Sequence, residues 1–124
     1  MRIAFSSGGP EGLEATIHPH FGRCPWFTLV DVANGRASSV QTVANPYYAR
    51  HEPGQVPAFI HQQGAQVMIT GGMGGRAVDL FQQLGVEPIT GASGTVRQAL
   101  DQYLSGSLQG AGACREHEGP MGLG

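Results

Sequence analysis

The alternation of apolar and polar positions predicts five β-strands. Apolar runs of strand length open the chain and recur in its centre. The pair Asn34-Gly35, which favours a hairpin turn, separates the second run from a third that alternates only loosely. A strand with one polar face is typical of a sheet edge. The predicted strands are residues 1–7, 25–32, 36–44, 67–69 and 86–90.

Helical spacing of apolar residues predicts three helices between and after these strands. The first begins after Gly54 and ends at Gly64, and the second follows the fourth strand and ends at Gly85. The third begins at Thr95, whose spacing to Gln98 matches a capping box, and stops near residue 106. The apolar faces of the first two helices are Val56, Phe59 and Ile60, and Ala77, Leu80, Phe81 and Leu84.

This order of elements predicts an α/β sandwich with a five-stranded mixed sheet in the order 3-2-1-4-5 and helices on its faces. The hairpin makes strand two antiparallel, whereas helical crossovers keep strands four and five parallel to strand one. Ligands of open α/β sheets bind at the carboxyl edge. We therefore expect one cleft to be surrounded by residues 6–9, 18–24, 45–51, 71–76 and 91–97.

Composition narrows the class of protein. The 124 residues are 40% hydrophobic, which suits one small domain, and the net charge of −2 argues against nucleic-acid binding by bulk charge. All seven cations are arginines, which suit planar recognition of oxyanions. Neither a transmembrane run nor a signal peptide is visible, so we expect a cytoplasmic protein without a membrane partner.

A glycine-rich joint between the fourth strand and the second helix is the first candidate binding site. Backbone amides at a helix N-terminus form a ready anion site, although glycines also serve tight turns. The joint is not a P-loop, since the chain has no lysine. Met73 would be either an exposed thioether or a plug in the core. The candidate cofactor-binding residues are Arg23, Gly71, Gly72, Met73, Gly74, Gly75, Arg76 and Arg97.

Histidine and cysteine side chains form the second candidate site. His18 and His20 point the same way if the chain is extended there, and we expect Arg23 to lower the pKa of the neighbouring Cys24 thiol. The alternatives are solvated histidines and a packed cysteine. Residues 1–106 are predicted to form the domain and residues 107–124 a flexible glycine-rich tail. The candidate metal ligands are Cys24, His18, His20, Cys114 and His117.

Catalytic signatures are missing from the sequence. A two-metal nuclease needs carboxylates at the strand ends, but the three aspartates fall on strand two or on helices. No G-x-S-x-G elbow is present. We therefore assign no catalytic residue and expect a protein that is not an enzyme, with a Cys24 nucleophile as the weaker alternative.

Four stretches together resemble the dinitrogenase iron–molybdenum cofactor biosynthesis family. They are residues 1–4, His20-Phe21-Gly22-Arg23-Cys24, residues 70–77 and residues 94–106. The resemblance implies a ribonuclease H-like fold, a three-layer sandwich, and binding or carrying of metal–sulfur clusters. Stand-alone members of this kind include the orange protein of sulfate-reducing bacteria, which holds a molybdenum–copper sulfide cluster non-covalently.

The resemblance and the candidate sites lead to one functional hypothesis. We expect a monomeric carrier or scaffold for an anionic Mo–Fe–S or Mo–Cu–S cluster, weakly ligated or held without covalent bonds. Cluster donor and acceptor proteins would be its partners, with a P-loop scaffold ATPase as one candidate. The alternative is a regulatory or protein-interaction domain that works without metal.

Overall fold

The elements of the computed structural model, which describes residues 1–49 and 54–111, follow the predicted order. Each predicted strand and helix is present, with boundaries shifted by at most two residues. A single 3₁₀ turn at Gly12–Glu14 was not predicted, because this stretch has little periodicity. The elements are β1 (Arg2–Ser7), β2 (Trp26–Ala33), β3 (Arg36–Ala44), α1 (Gln55–Gln62), β4 (Val67–Ile69), α2 (Gly75–Gln83), β5 (Glu87–Ile89) and α3 (Val96–Leu104).

The sheet confirms the predicted topology. Its order is β3-β2-β1-β4-β5, with β2 antiparallel to both neighbours and with β4 and β5 parallel to β1. The β2–β3 turn places Asn34 at φ 55° and Gly35 at φ 75°, the left-handed conformations that a tight hairpin turn requires. The carboxyl ends of β1, β4 and β5 therefore share one edge, where β2 begins.

Two hydrophobic cores, one on each face of the sheet, make the domain three layers deep. Side chains alternate along β1, so Ile3 and Phe5 pack toward α3 while Ala4 packs toward α1 and α2. The α3 helix begins with the predicted capping box, in which the Thr95 hydroxyl accepts from the Gln98 amide at 3.1 Å. The predicted α/β sandwich with helices on both faces is confirmed.

The chain continues to pack on the domain after α3. Leu108 is buried in the core beneath that helix, and the Gly110 carbonyl accepts the Thr90 amide at 3.0 Å. The remainder of the predicted tail, with Cys114 and His117, lies outside the described residues. In the part of the chain that is described, none of the helices combines the length and apolar character needed to cross a bilayer.

Candidate functional site

A cleft of about 420 Å³ opens at the carboxyl edge of the sheet, on the face that carries α1 and α2. Three segments converge there: the loop before β2 (residues 18–25), the first turn of α1, and the glycine loop (residues 70–74) with the start of α2. The described lining residues are His20, Phe21, Gly22, Arg23, Gly54, Val56, Pro57, Gly72, Met73, Gly74, Arg76, Ala77 and Leu80.

Close backbone contacts hold the glycine loop against the loop before β2. The Gly71 amide donates to the His18 carbonyl at 3.3 Å, and the Phe21 amide donates to the Gly72 carbonyl at 3.0 Å. A Cβ on Gly71 would lie 2.8 Å from the Cα of Pro19, so only glycine fits without a shift of the backbone. The predicted meeting of these two loops is therefore built on direct contact.

Two buried hydroxyl groups tie the same loops to the sheet. Ser6, near the end of β1, places its Oγ 2.6 Å from the Thr70 Oγ1, just after β4. Ser6 also lies 3.1 Å from the His18 carbonyl, and Thr70 lies 3.4 Å from the Gly72 carbonyl. Because both side chains are fully buried, their hydrogen bonds orient the two loops from beneath.

Two helices direct their N-termini toward the cleft. Gly54 is the N-cap of α1 and Gly74 is the N-cap of α2, and neither provides a side-chain cap. Amides in the first turn of a helix have no partner within the helix, and the helix dipole adds partial positive charge there. In α3, by contrast, the Thr95 hydroxyl accepts the Gln98 amide and the Ala15 carbonyl accepts the Val96 amide.

Two arginines add full charges to this end of the cleft. Arg23 and Arg76 are both exposed and line it, and neither forms an ion pair with another described residue. The lining residues that the structure describes include no aspartate or glutamate. Arginine, two helix dipoles and backbone amides therefore favour a bound anion at this place.

Arg97 is not part of this cleft. Its guanidinium lies 2.7 Å from the Glu14 carboxylate, and α3 covers the opposite face of the sheet. The expectation that residues 6–9, 45–49 and 91–97 surround the same cleft is wrong, because none of them is among the residues that line it. The α3 helix that follows residues 91–95 packs on the other face of the sheet. The assignment of Arg97 as a cofactor-binding residue has no support from this geometry.

The two histidines occupy different positions. His20 is exposed and lines the cleft, whereas His18 is half-buried and is not among its lining residues. The His18 Nδ1 lies 3.0 Å from both the amide nitrogen and the carbonyl oxygen of His20. Across residues 1–49 and 54–111, no three histidine, cysteine, aspartate or glutamate side chains form a group that could hold a metal ion.

Cys24 lies in the core and not on the cleft surface. Its side chain is fully buried, and the thiol donates to the Phe21 carbonyl at 3.2 Å. Burial raises the pKa of Cys24 to about 12, so the expectation that Arg23 lowers this pKa is wrong. Arg23 does not offset the loss of solvation, because its side chain is exposed and water screens its charge.

Met73 is a plug rather than an exposed ligand. It is 2% exposed and belongs to the core cluster with Phe21 and Phe81, so that it forms the floor of the cleft. Of the two alternatives that the sequence left open, the structure adopts core packing.

Comparison with known proteins places the chain in a family. The family model described as dinitrogenase iron-molybdenum cofactor matches residues 1–106. The protein belongs to the dinitrogenase iron–molybdenum cofactor family. This confirms the resemblance carried by the four sequence stretches, of which the second and third contribute residues to the cleft.

Individual relatives cover most of the chain. A curated relative, the uncharacterized protein MJ0580 of Methanocaldococcus jannaschii, is 27% identical over 75% of this chain and 80% of its own. The crystal structure of PH0822 is 30% identical with a TM-score of 0.79, covering 88% of this chain and 94% of that one. The apo form of the orange protein from Desulfovibrio gigas is 29% identical with a TM-score of 0.81, covering 90% and 93%.

For this family member, sequence reasoning missed one wall of the cleft. The first turn of α1 and the Leu80 side chain line it, although neither was a candidate. A signal was present, since Gly54 and Pro57 mark a helix start directly after a loop expected at the same edge. The expected residues Arg50 and His51 of that loop lie outside the described residues.

Proposed function

We propose that this protein binds an anionic metal–sulfur cluster in the cleft and carries or scaffolds it as cargo. The observation that supports this most strongly is the concentration of Arg23, Arg76 and the N-termini of two helices around one cavity. Membership of the iron–molybdenum cofactor family and likeness to an apo orange protein support the choice of cargo. The cargo would be of the Mo–Fe–S or Mo–Cu–S type.

The available groups favour binding without coordinate bonds. Guanidinium groups and backbone amides neutralise charge and donate hydrogen bonds to the outer atoms of an anion. The thiol of Cys24 is protonated and enclosed, and among the described lining residues His20 alone offers an exposed imidazole. A cluster held in this way keeps its own ligands and can be passed on intact, as a carrier requires.

A non-catalytic role fits the same chemistry. Nucleophilic cysteines are partly exposed and have a lowered pKa, whereas Cys24 is buried with a pKa of about 12. We propose that donor and acceptor proteins, including a P-loop scaffold ATPase, exchange the cluster with a monomer of this protein in the cytoplasm.

Reconstitution with tetrathiomolybdate, with and without copper, tests the proposal. We expect the visible charge-transfer absorption to change on binding and the change to saturate at a fixed ratio of anion to protein. Combining Arg23→Ala and Arg76→Ala should lower the affinity by about 10- to 100-fold. The matched control combines Arg36→Ala and Arg97→Ala, which removes the same charge away from the cleft. Equal losses in both double variants would point to bulk charge and overturn the assignment of the site.

A second measurement addresses the native cargo. Protein purified anaerobically from its host should carry metal and acid-labile sulfide in a fixed ratio. A colourless, metal-free protein that also fails to bind tetrathiomolybdate would favour the alternative, a domain that binds a partner protein or an organic anion.

A further inference from the structure

Besides its arginines and helix N-termini, the cleft has an apolar wall. Its members are Phe21, Val56, Pro57, Met73, Ala77 and Leu80. Most of them are continuous with the core, since Phe21 packs edge-on against Phe81 with ring centroids 5.1 Å apart. The wall is therefore backed by packed side chains and presents a fixed apolar surface to a ligand.

Polarity changes along one face of α2. Arg76 and Leu80 both line the cleft and are four residues apart, so they are neighbours on the helix surface. An anion that binds Arg76 at the N-terminal end of α2 is therefore also within reach of Leu80, which lies one helical turn further along. Leu80 is half-buried and is not part of the core cluster, so its side chain contributes to the cleft surface more than to core packing.

We propose that this wall selects sulfide-bearing anions over oxyanions of the same charge and shape, with Leu80 as a specificity-determining residue. The inference rests on the proposed function, since it concerns the anion bound at the same site. Oxide ligands accept strong hydrogen bonds from water. An apolar wall cannot replace these bonds, so an oxyanion that binds against it loses free energy of solvation. Sulfide ligands are larger, more polarisable and weaker acceptors, so they lose less water and gain dispersion contacts with Leu80 and Met73.

Tetrathiomolybdate and molybdate are a matched pair for the test, because both are tetrahedral and doubly charged and differ only in sulfide against oxide. Their affinities are measured by calorimetric titration in buffer freed of copper and iron, so that the anion alone is the probe. We expect the wild-type protein to prefer tetrathiomolybdate by about tenfold or more.

Leu80→Gln tests the role of the wall directly. Glutamine is a good helix former of similar length, and we expect the preference to fall about three- to tenfold through weaker tetrathiomolybdate binding. Leu80→Met keeps an apolar side chain and should keep the preference. Arg76→Ala should weaken both anions by a similar factor and leave their ratio unchanged, because it removes charge without altering the wall.

The outcomes separate this inference from the proposed function. Equal wild-type affinities for the two anions, or an unchanged ratio in Leu80→Gln with unchanged thermal unfolding, would overturn the selectivity and leave the anion site standing. Failure of the wild-type protein to bind either anion would overturn both. A lower ratio of tetrathiomolybdate to molybdate affinity in Leu80→Gln, together with a wild-type ratio in Leu80→Met, would establish that the apolar wall selects the sulfide-bearing anion.

Discussion

Gly71 and Pro19 pack so closely that a Cβ on Gly71 would lie 2.8 Å from the Cα of Pro19. Because that neighbour is backbone, Gly71→Ala must push the loop before β2 away from the glycine loop. We expect a loss of about 1–3 kcal/mol in the free energy of unfolding. Urea unfolding measures this loss, and titration with tetrathiomolybdate should show weaker binding.

Gly74→Ala is the control for this prediction. No described atom lies within 4 Å of a Cβ at Gly74, whose φ is −66°, so alanine fits there. Because glycine is preferred over alanine at an N-cap, we expect Gly74→Ala to lose some stability, up to about 1 kcal/mol, but less than Gly71→Ala. Equal stability and equal anion affinity in Gly71→Ala and Gly74→Ala would contradict the close contact with Pro19.

A capping side chain at Gly74 should compete with the bound anion. Gly74→Asp places a carboxylate where it accepts hydrogen bonds from the first amides of α2. Its negative charge also interacts favourably with the positive end of the helix dipole, so we expect the fold to be stabilised by about 0.3–1 kcal/mol. The same carboxylate occupies and repels the anion site. We therefore expect higher thermal stability together with weaker tetrathiomolybdate binding, measured on the same sample.

Gly74→Asn separates the two causes, since it caps the helix without adding charge. It should reduce binding less than Gly74→Asp does. If Gly74→Asp binds the anion as tightly as wild type, then the N-terminus of α2 does not contact the ligand.

The hydroxyl pair Ser6 and Thr70 should be energetically coupled. Thr70→Val removes a buried hydroxyl whose oxygen lies 2.6 Å from the Ser6 Oγ, at an expected cost of about 1–3 kcal/mol. Ser6→Ala should cost a similar amount, and the double variant should cost less than the sum by about 0.5–3 kcal/mol. Urea unfolding of the four proteins gives this coupling, and strict additivity would show that the pair does not act as a unit.

The Cys24 thiol should make the fold sensitive to alkaline pH. Its folded-state pKa of about 12 lies above that of an unfolded thiol, so between these values the unfolded chain binds fewer protons. Stability is therefore fully present below the unfolded pKa and is lost as pH rises toward 12. The unfolding midpoint, measured against pH in a Cys114→Ser background, should fall more steeply with Cys24 present than in Cys24→Ala.

Thiol labelling checks the same point under native conditions. In the Cys114→Ser background, Cys24 should react with a maleimide only as fast as the protein unfolds. Rapid labelling of the folded protein at neutral pH would contradict the buried, protonated thiol, and would return Cys24 to the set of metal ligands.

Local features of the sequence determined the elements and their order. Apolar runs, the Asn34-Gly35 turn and the Thr95–Gln98 capping box act over a few residues, and each is present in the structure. Helical crossovers are right-handed and the hairpin is tight, so these elements allow few sheet orders, and the predicted one was confirmed. The meeting of the loop before β2 with the glycine loop follows from that order.

Only the tertiary structure decided what each side chain does at the sheet edge. Sheet order places a loop at an edge but does not say on which face its helix continues, so Arg76 reached the cleft and Arg97 reached Glu14. Burial likewise depends on neighbours distant in sequence. Packing with Phe21 and Phe81 made Met73 the floor of the cleft, although its glycine neighbours also allowed an exposed side chain. Burial in the same core keeps the Cys24 thiol protonated, although the adjacent Arg23 suggested a low pKa.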